Sequence, residues 1–114
     1  EDLTFVCEIN NKIAGWVTLS KVSNRSVYKG VGEVSIYIHP DYKRKNIGSQ
    51  LYNHFERKAK ETGYWTIQAQ LFTNNLASKS FFEVLGFRQV GVREKIGQLN
   101  NQWIDNYLYE KNFN

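Results

Sequence analysis

The stretch GEVSIYIHPDYKRKNIGSQL, residues 32–51, reads as a strand joined to a helix by a short cationic loop. In its first half Val34, Ile36 and Ile38 fall on one face, and Glu33, Ser35, Tyr37 and His39 on the other. That two-residue period is the mark of a half-buried strand. Pro40 ends the ladder because it has no N–H to give. Beyond the loop, Ile47, Leu51, Phe55 and Ala59 recur every four residues with Tyr52 beside them, the apolar stripe of an amphipathic helix that Gly63 stops.

The flanks extend the pattern on both sides. Upstream, Leu3, Phe5, Cys7 and Ile9 alternate with Thr4, Val6 and Glu8, and Asn10-Asn11-Lys12 turns the chain into a second strand over Ile13 to Leu19. A polar loop follows from Ser20 to Gly30. Downstream, Trp65, Ile67, Ala69 and Leu71 alternate as a strand. Ala77, Phe81 and Leu85 stripe a second helix, with Gly86 just past its end. Phe87 to Arg93 and Gln102 to Tyr109 are the last strands, joined by a connection containing Gly97 and Asn100-Asn101. The order β-β-β-α-β-α-β-β predicts an α/β (α+β) fold, a mixed sheet with at least one parallel pair and helices packed on it.

A length of 114 residues allows one domain, residues 1–114. With 41% hydrophobic residues the chain can build a core, which excludes disorder by composition. A net charge of +4 suits an anionic partner without choosing one. Cys7 is the only cysteine, so no intrachain disulfide forms, and its apolar run makes it a small core residue. No apolar run reaches membrane-spanning length and no signal peptide opens the chain, so a cytoplasmic protein with no membrane partner is expected. The chain has no methionine and opens inside a strand, so a preceding segment is expected.

The loop carries the chemistry. A helix N-terminus leaves unpaired N–H groups at the positive end of its dipole, and a loop that curls its own amides inward deepens that concavity into a phosphate site. Lys43, Arg44 and Lys45 place three cations at its mouth, Gly48 lets a ligand approach the backbone, and Asn46 falls where positive φ is needed. A solvated basic loop is the plainer reading of the same residues. His39 and His54 lack Cys or His partners at metal-ligand spacing, and no metal is expected.

GEVSIYIHPDYKRKNIGSQL (Gly32 to Leu51), NNLASKSFFEVLGF (Asn74 to Phe87) and NNQWIDNYLYE (Asn100 to Glu110) together resemble the GNAT N-acetyltransferase superfamily, more narrowly its phosphinothricin acetyltransferase-like group. The resemblance implies a mainly antiparallel mixed sheet with a parallel central pair and helices on its faces, here without the family's N-terminal strand and two helices. It implies acetyl-CoA as co-substrate, its pantetheine arm along Ser35, Ile36, Tyr37 and Ile38. The pyrophosphate would lie on Lys43, Arg44, Lys45, Asn46, Ile47, Gly48 and Ser49, and Asn75 would touch the arm. Two departures stand out: Lys43 replaces the usual Gln or Arg, and Asn46 replaces the first glycine of the loop, at a cost of about 1 kcal/mol.

Acetyl transfer needs a neutral amine, and a carboxylate that takes its proton contributes about 10²–10⁴-fold. Glu33 matches the family glutamate and is the candidate base. A strand N–H would polarise the thioester carbonyl. Phe82 stands where many members carry a tyrosine acid and has no proton to give, so no acid is assigned. In the resembling family the region of Trp103, Asp105, Tyr107 and Tyr109 lines the acceptor pocket or a dimer contact, whereas aromatic side chains there also suit a core. The resemblance implies a small-molecule primary amine as acceptor, an amino acid or an analogue such as phosphinothricin or methionine sulfoximine, and a homodimer. A degenerate acetyl-CoA-binding module is the alternative. A nucleic-acid-binding protein is disfavoured, because the basic cluster is short and precedes a helix instead of lying along an exposed face.

Overall fold

Two Asn-Asn pairs set the hairpins of this protein, whose computed structural model describes residues 3–43 and 46–113. Asn10 and Asn11 take φ of 53° and 66°, and Asn100 and Asn101 take 52° and 64°. Two consecutive left-handed residues make the turn whose twist matches paired strands, and asparagine bears that conformation at small cost. The first pair joins β1 (Leu3–Ile9) to β2 (Lys12–Lys21), and the second joins β5 (Arg88–Leu99) to β6 (Gln102–Asn112). Between them lie β3 (Val31–Ile38), α1 (Ile47–Thr62), β4 (Thr66–Phe72) and α2 (Leu76–Val84). Single 3-10 turns occupy Ser26–Tyr28 and Pro40–Tyr42.

Several boundaries differ from the sequence reading. The second strand continues to Lys21, and the fourth starts at Thr66, so Trp65 precedes it. A side chain on Gly30 would collide with the Trp65 indole, which lies against that backbone. The largest difference is β5, which runs on through Gly97 to Leu99. Its register against β6 breaks between Gln89 and Gly91 and again between Arg93 and Gly97. These bulges interrupt the alternation by which a strand is recognised, and they bend an edge that would otherwise invite pairing.

The six strands form one sheet in the order β1-β2-β3-β4-β6-β5, antiparallel except for β3 beside β4. Both helices contribute to a single core on one face. Leu51, Tyr52, Phe55 and Ala59 of α1 and Phe82 of α2 meet Val17, Leu19, Val34, Ile67, Ala69, Leu71 and Tyr109 of the sheet. Each large apolar side chain so buried contributes about 1.5–3 kcal/mol. Each helix ends in a Schellman motif. The N–H of Tyr64 reaches the carbonyl of Ala59 and that of Phe87 the carbonyl of Phe82, with Gly63 and Gly86 at φ of 110° and 98°.

Lys111 on β6 ties both helices to the sheet. Its ammonium donates to Glu56 of α1 and to the carbonyl of Leu85 after α2, each at 2.8 Å. Burial pushes the Glu56 carboxyl up, but the hydrogen bond and charge of Lys111 and the nearby Lys60 outweigh it and hold the group below the usual carboxylate range. Burial, and then the Glu56 charge, push the Tyr52 phenol far above its ordinary value.

Candidate functional site

The site begins where two neighbouring strands part. β3 pairs with β4 only over Val31, Gly32 and Glu33 against Thr66, Ile67 and Gln68. At one end of β3, His39 donates its N–H to Ala14 of β2 at 2.7 Å, and at the other the carbonyl of Gly30 accepts from Trp65 and Thr66. Alternation between these anchors turns the peptide groups of Glu33, Ser35 and Tyr37 toward β2. Those of Val34, Ile36 and Ile38 turn toward β4. Beyond Glu33 that neighbour has diverged, so the edge of β3 opens on a cleft.

The cleft has two connected parts. A cavity of about 230 Å³ lies between Val34, Ser35 and Ile36 of β3, Ala69 to Phe72 of β4, and Asn75, Ser78 and Phe82 at α2. A groove of about 600 Å³ shares Ile36 and Ser78 with it and continues past Tyr37 and Ile38 to Tyr42, Lys43 and the start of α1. There the first-turn residues Ile47, Gly48 and Ser49 line it. Their amides lie too early in the helix for intrahelical partners, and they carry the positive end of its dipole. Asn46 precedes them at φ 62° and ψ 13°, and its side chain makes no capping hydrogen bond. No acidic residue sits in that first turn. The arrangement suits an anion at the α1 end and an extended polar chain along β3.

The predicted residues fall as follows. Ile36 and Ile38 offer backbone groups to the cleft, whereas the peptide groups of Ser35 and Tyr37 are directed to β2, although both residues line its wall. Lys43, Asn46, Ile47, Gly48 and Ser49 surround the helix end. Arg44 and Lys45 lie outside the described residues. Gly48 has a packing reason besides backbone access: a Cβ there would stand 3.0 Å from Cε1 of Phe81, so its absence lets α2 approach α1. Asn75 caps α2 by accepting the Ser78 N–H at 3.1 Å, and it borders the cavity at the same time.

Glu33 occupies the last rung before the strands part, its side chain on the face away from the helices. Its Oε1 accepts from the amides of Gln68 at 2.8 Å and Gln70 at 3.0 Å. Both donors act on one oxygen and fix the carboxylate plane, and among the described residues no group donates to Oε2. The sequence reading missed Gln68 and Gln70. Their signal was the polar half of the alternation in QAQ, opposite the apolar Ile67, Ala69 and Leu71.

Other candidates resolve into structure. Phe82 is buried and packs edge-on against Phe81 and Phe87. His39 accepts the Asp41 N–H on Nδ1, capping the short turn after β3. His54 meets the edge of Phe5 at 5.0 Å. Tyr109 is wholly buried and donates its hydroxyl to Glu83, Tyr107 packs on it, and the Asp105 carboxylate accepts the Lys95 N–H. None of Trp103, Asp105, Tyr107 and Tyr109 borders either part of the cleft, and the core role holds for Tyr109, with Tyr107 packed against that core.

Comparison with known proteins gives a consistent set of relatives. The model of the Acetyltransferase (GNAT) family matches residues 1–87. A phosphinothricin N-acetyltransferase of Alcaligenes faecalis is 31% identical over 96% of this chain and 56% of its own length. An L-methionine sulfoximine/L-methionine sulfone acetyltransferase of Pseudomonas aeruginosa is 30% identical over 68% of this chain and 45% of its own. The crystal structure of an N-acetyltransferase from Staphylococcus aureus superposes with a TM-score of 0.91 at 29% identity, covering 97% of this chain and 67% of that one. The chain thus spans about half the length of these curated relatives.

Proposed function

Because this chain belongs to the GNAT acetyltransferase family, we propose that it moves an acetyl group from acetyl-CoA to the primary amine of a small molecule, an amino acid or an amino-acid analogue. The observation that carries the reading is the cleft, whose two parts share Ile36 and Ser78 and reach from Val34, one residue past the Glu33 rung, to the start of α1, where Asn46 makes no side-chain cap. The diphosphate of the cofactor would accept hydrogen bonds from the amides of Ile47, Gly48 and Ser49. Its amide-bearing arm would pair with Ile36 and Ile38, bringing the thioester to the level of Val34.

The chemistry then follows from position. The acceptor amine approaches from the face that carries Glu33, and Oε2 takes its proton, directly or through a water. The nitrogen lone pair forms the new C–N bond. The carbonyl oxygen gains charge, which a β3 N–H beyond the last rung stabilises. As the carbonyl re-forms, the C–S bond breaks and the electron pair leaves on sulfur. Phe82 has no proton for that thiolate, so solvent supplies it. Relatives whose names specify phosphinothricin and methionine sulfoximine support an amino-acid-like acceptor. Homodimerisation belongs to the same reading by family.

Calorimetry with acetyl-CoA, followed by thiol release across a panel of primary amines, tests the proposal. Binding and turnover are expected. A cofactor-holding module without turnover is the second reading, favoured by Asn46 and Phe82 in place of a glycine and a tyrosine, and binding without thiol release would select it. Absence of binding would overturn both.

A further inference from the structure

We propose that Arg93 is the residue that recognises the acceptor, by pairing with a carboxylate on the amine substrate; the inference rests on the acetyl-transfer reading above. Arg93 lies on β5, three strands from Glu33 in the sheet order, and two hydrogen bonds connect them. Its guanidinium donates to Oε1 of Gln70 at 3.2 Å, and Nε2 of the same Gln70 donates to Glu33 at 3.0 Å. Asn106, opposite Arg93 in the β5–β6 register, directs its amide toward the same Gln70 oxygen at 3.5 Å. This fixes the orientation of the Gln70 amide. Turned over, it would set N–H groups against a guanidinium and an oxygen against a carboxylate.

Three observations give Arg93 a task besides holding Gln70. One of its five donors is used there, and among the described residues no carboxylate pairs with it. Arg88 and Lys111 are by contrast matched with Glu110 and Glu56. Asp105, adjacent in register, spends its carboxylate on the Lys95 N–H. The chain also bulges immediately after Arg93: Glu94, Lys95 and Ile96 stand against Asp105 alone, with Lys95 at φ 53°. Such bulges re-aim the side chain beside them.

The spacing admits an α-amino acid. Through one amide and two hydrogen bonds, the Glu33 carboxylate and the Arg93 guanidinium are at most about 9 Å apart. An α-amino acid with a hydrogen bond of about 2.9 Å at each end spans nearly the same length. Its amine would meet Glu33 and its carboxylate the free donors of Arg93, which suit that planar anion. A simple amine or a carboxamide would lack the second, charge-assisted contact.

The test compares the full chain with its Arg93→Ala and Arg93→Lys variants. Acceptors are L-amino acids, their carboxamides and the corresponding decarboxylated amines, with thiol release as the readout. The wild-type protein should prefer the acids. Arg93→Ala should raise KM for the acids about 10- to 100-fold, abolish the preference over the amides, and leave KM for acetyl-CoA unchanged. Arg93→Lys should recover part of the loss. Acetyl-CoA turnover with no preference for the acids, or a preference that survives in Arg93→Ala, would overturn this inference alone. Failure to bind acetyl-CoA would overturn it together with the reading beneath it.

Discussion

Asn46 separates two ways in which a side chain can serve a loop. It sits at φ 62° and ψ 13°, ahead of the first helical hydrogen bond from the Gln50 N–H to its own carbonyl. The side chain forms no capping bond, so within the protein its contribution is conformational tolerance. Asn46→Gly removes the residual steric cost of the left-handed backbone but frees the unfolded chain by a similar amount, roughly 0.5–1 kcal/mol each way. The net change should be near zero. Asn46→Ala keeps a Cβ without asparagine's local compensation and should cost about 1 kcal/mol, which for a domain of this size lowers Tm by about 4–5 °C. Thermal melts of both variants, with acetyl-CoA calorimetry on each, read the two effects separately. The glycine variant should bind the cofactor at least as well as the wild type, and the alanine variant more weakly. If Asn46→Ala melted like the wild type, the left-handed conformation would not be the constraint. A tenfold loss of cofactor affinity in Asn46→Gly would make the Asn amide itself a ligand and refute the conformational account.

Three further outcomes follow from the geometry. Glu33→Gln keeps the shape and loses the proton acceptor, so kcat for thiol release should fall about 10²- to 10³-fold while acetyl-CoA affinity holds; unchanged turnover would remove Glu33 from the chemistry. Lys111→Met leaves the Leu85 carbonyl and part of Glu56 without a donor and should cost about 1–3 kcal/mol in chemical denaturation. Because the Glu56 pKa is depressed in the folded state, its contribution is present above the ordinary value of 4.5 and is lost as pH falls through the lower folded value. Melts should therefore weaken on acidification below about pH 4.5, less steeply in Lys111→Met, and an equal slope would contradict the pairing. Gly48→Leu must displace the Phe81 ring that stands 3.0 Å from a Cβ there, at an overpacking cost of about 1–3 kcal/mol, and acetyl-CoA titration should show affinity falling more than tenfold.

Much of the architecture was legible because its signals are local. Gly63 and Gly86 stop their helices where the apolar stripes end, and both are left-handed. Pro40 closes β3 one residue after its last alternating position. Asn46 was expected at positive φ and is there. What escaped was non-local. Gln70 and Arg93 look like ordinary solvated strand residues until the β4–β6 and β6–β5 registers bring positions 33, 70, 93 and 106 onto one patch. No spacing in the sequence encodes that meeting. The length of β5 was obscured for another reason, because its bulges destroy the two-residue rhythm over the segment where it continues.

The three-rung union of β3 with β4 makes the protein two half-sheets sharing a short seam, β1-β2-β3 on one side and β4-β6-β5 on the other. Peptide groups next to such a seam exchange their protons readily, because nothing locks them from one flank. A guest that supplied donors and acceptors at strand spacing would act as mortar, slowing deuterium uptake at Ile36 and Ile38 and stiffening the two halves into one body. Release would then mean unbuilding that joint, so the shortness of the seam bears on how fast the molecule lets go of what it holds.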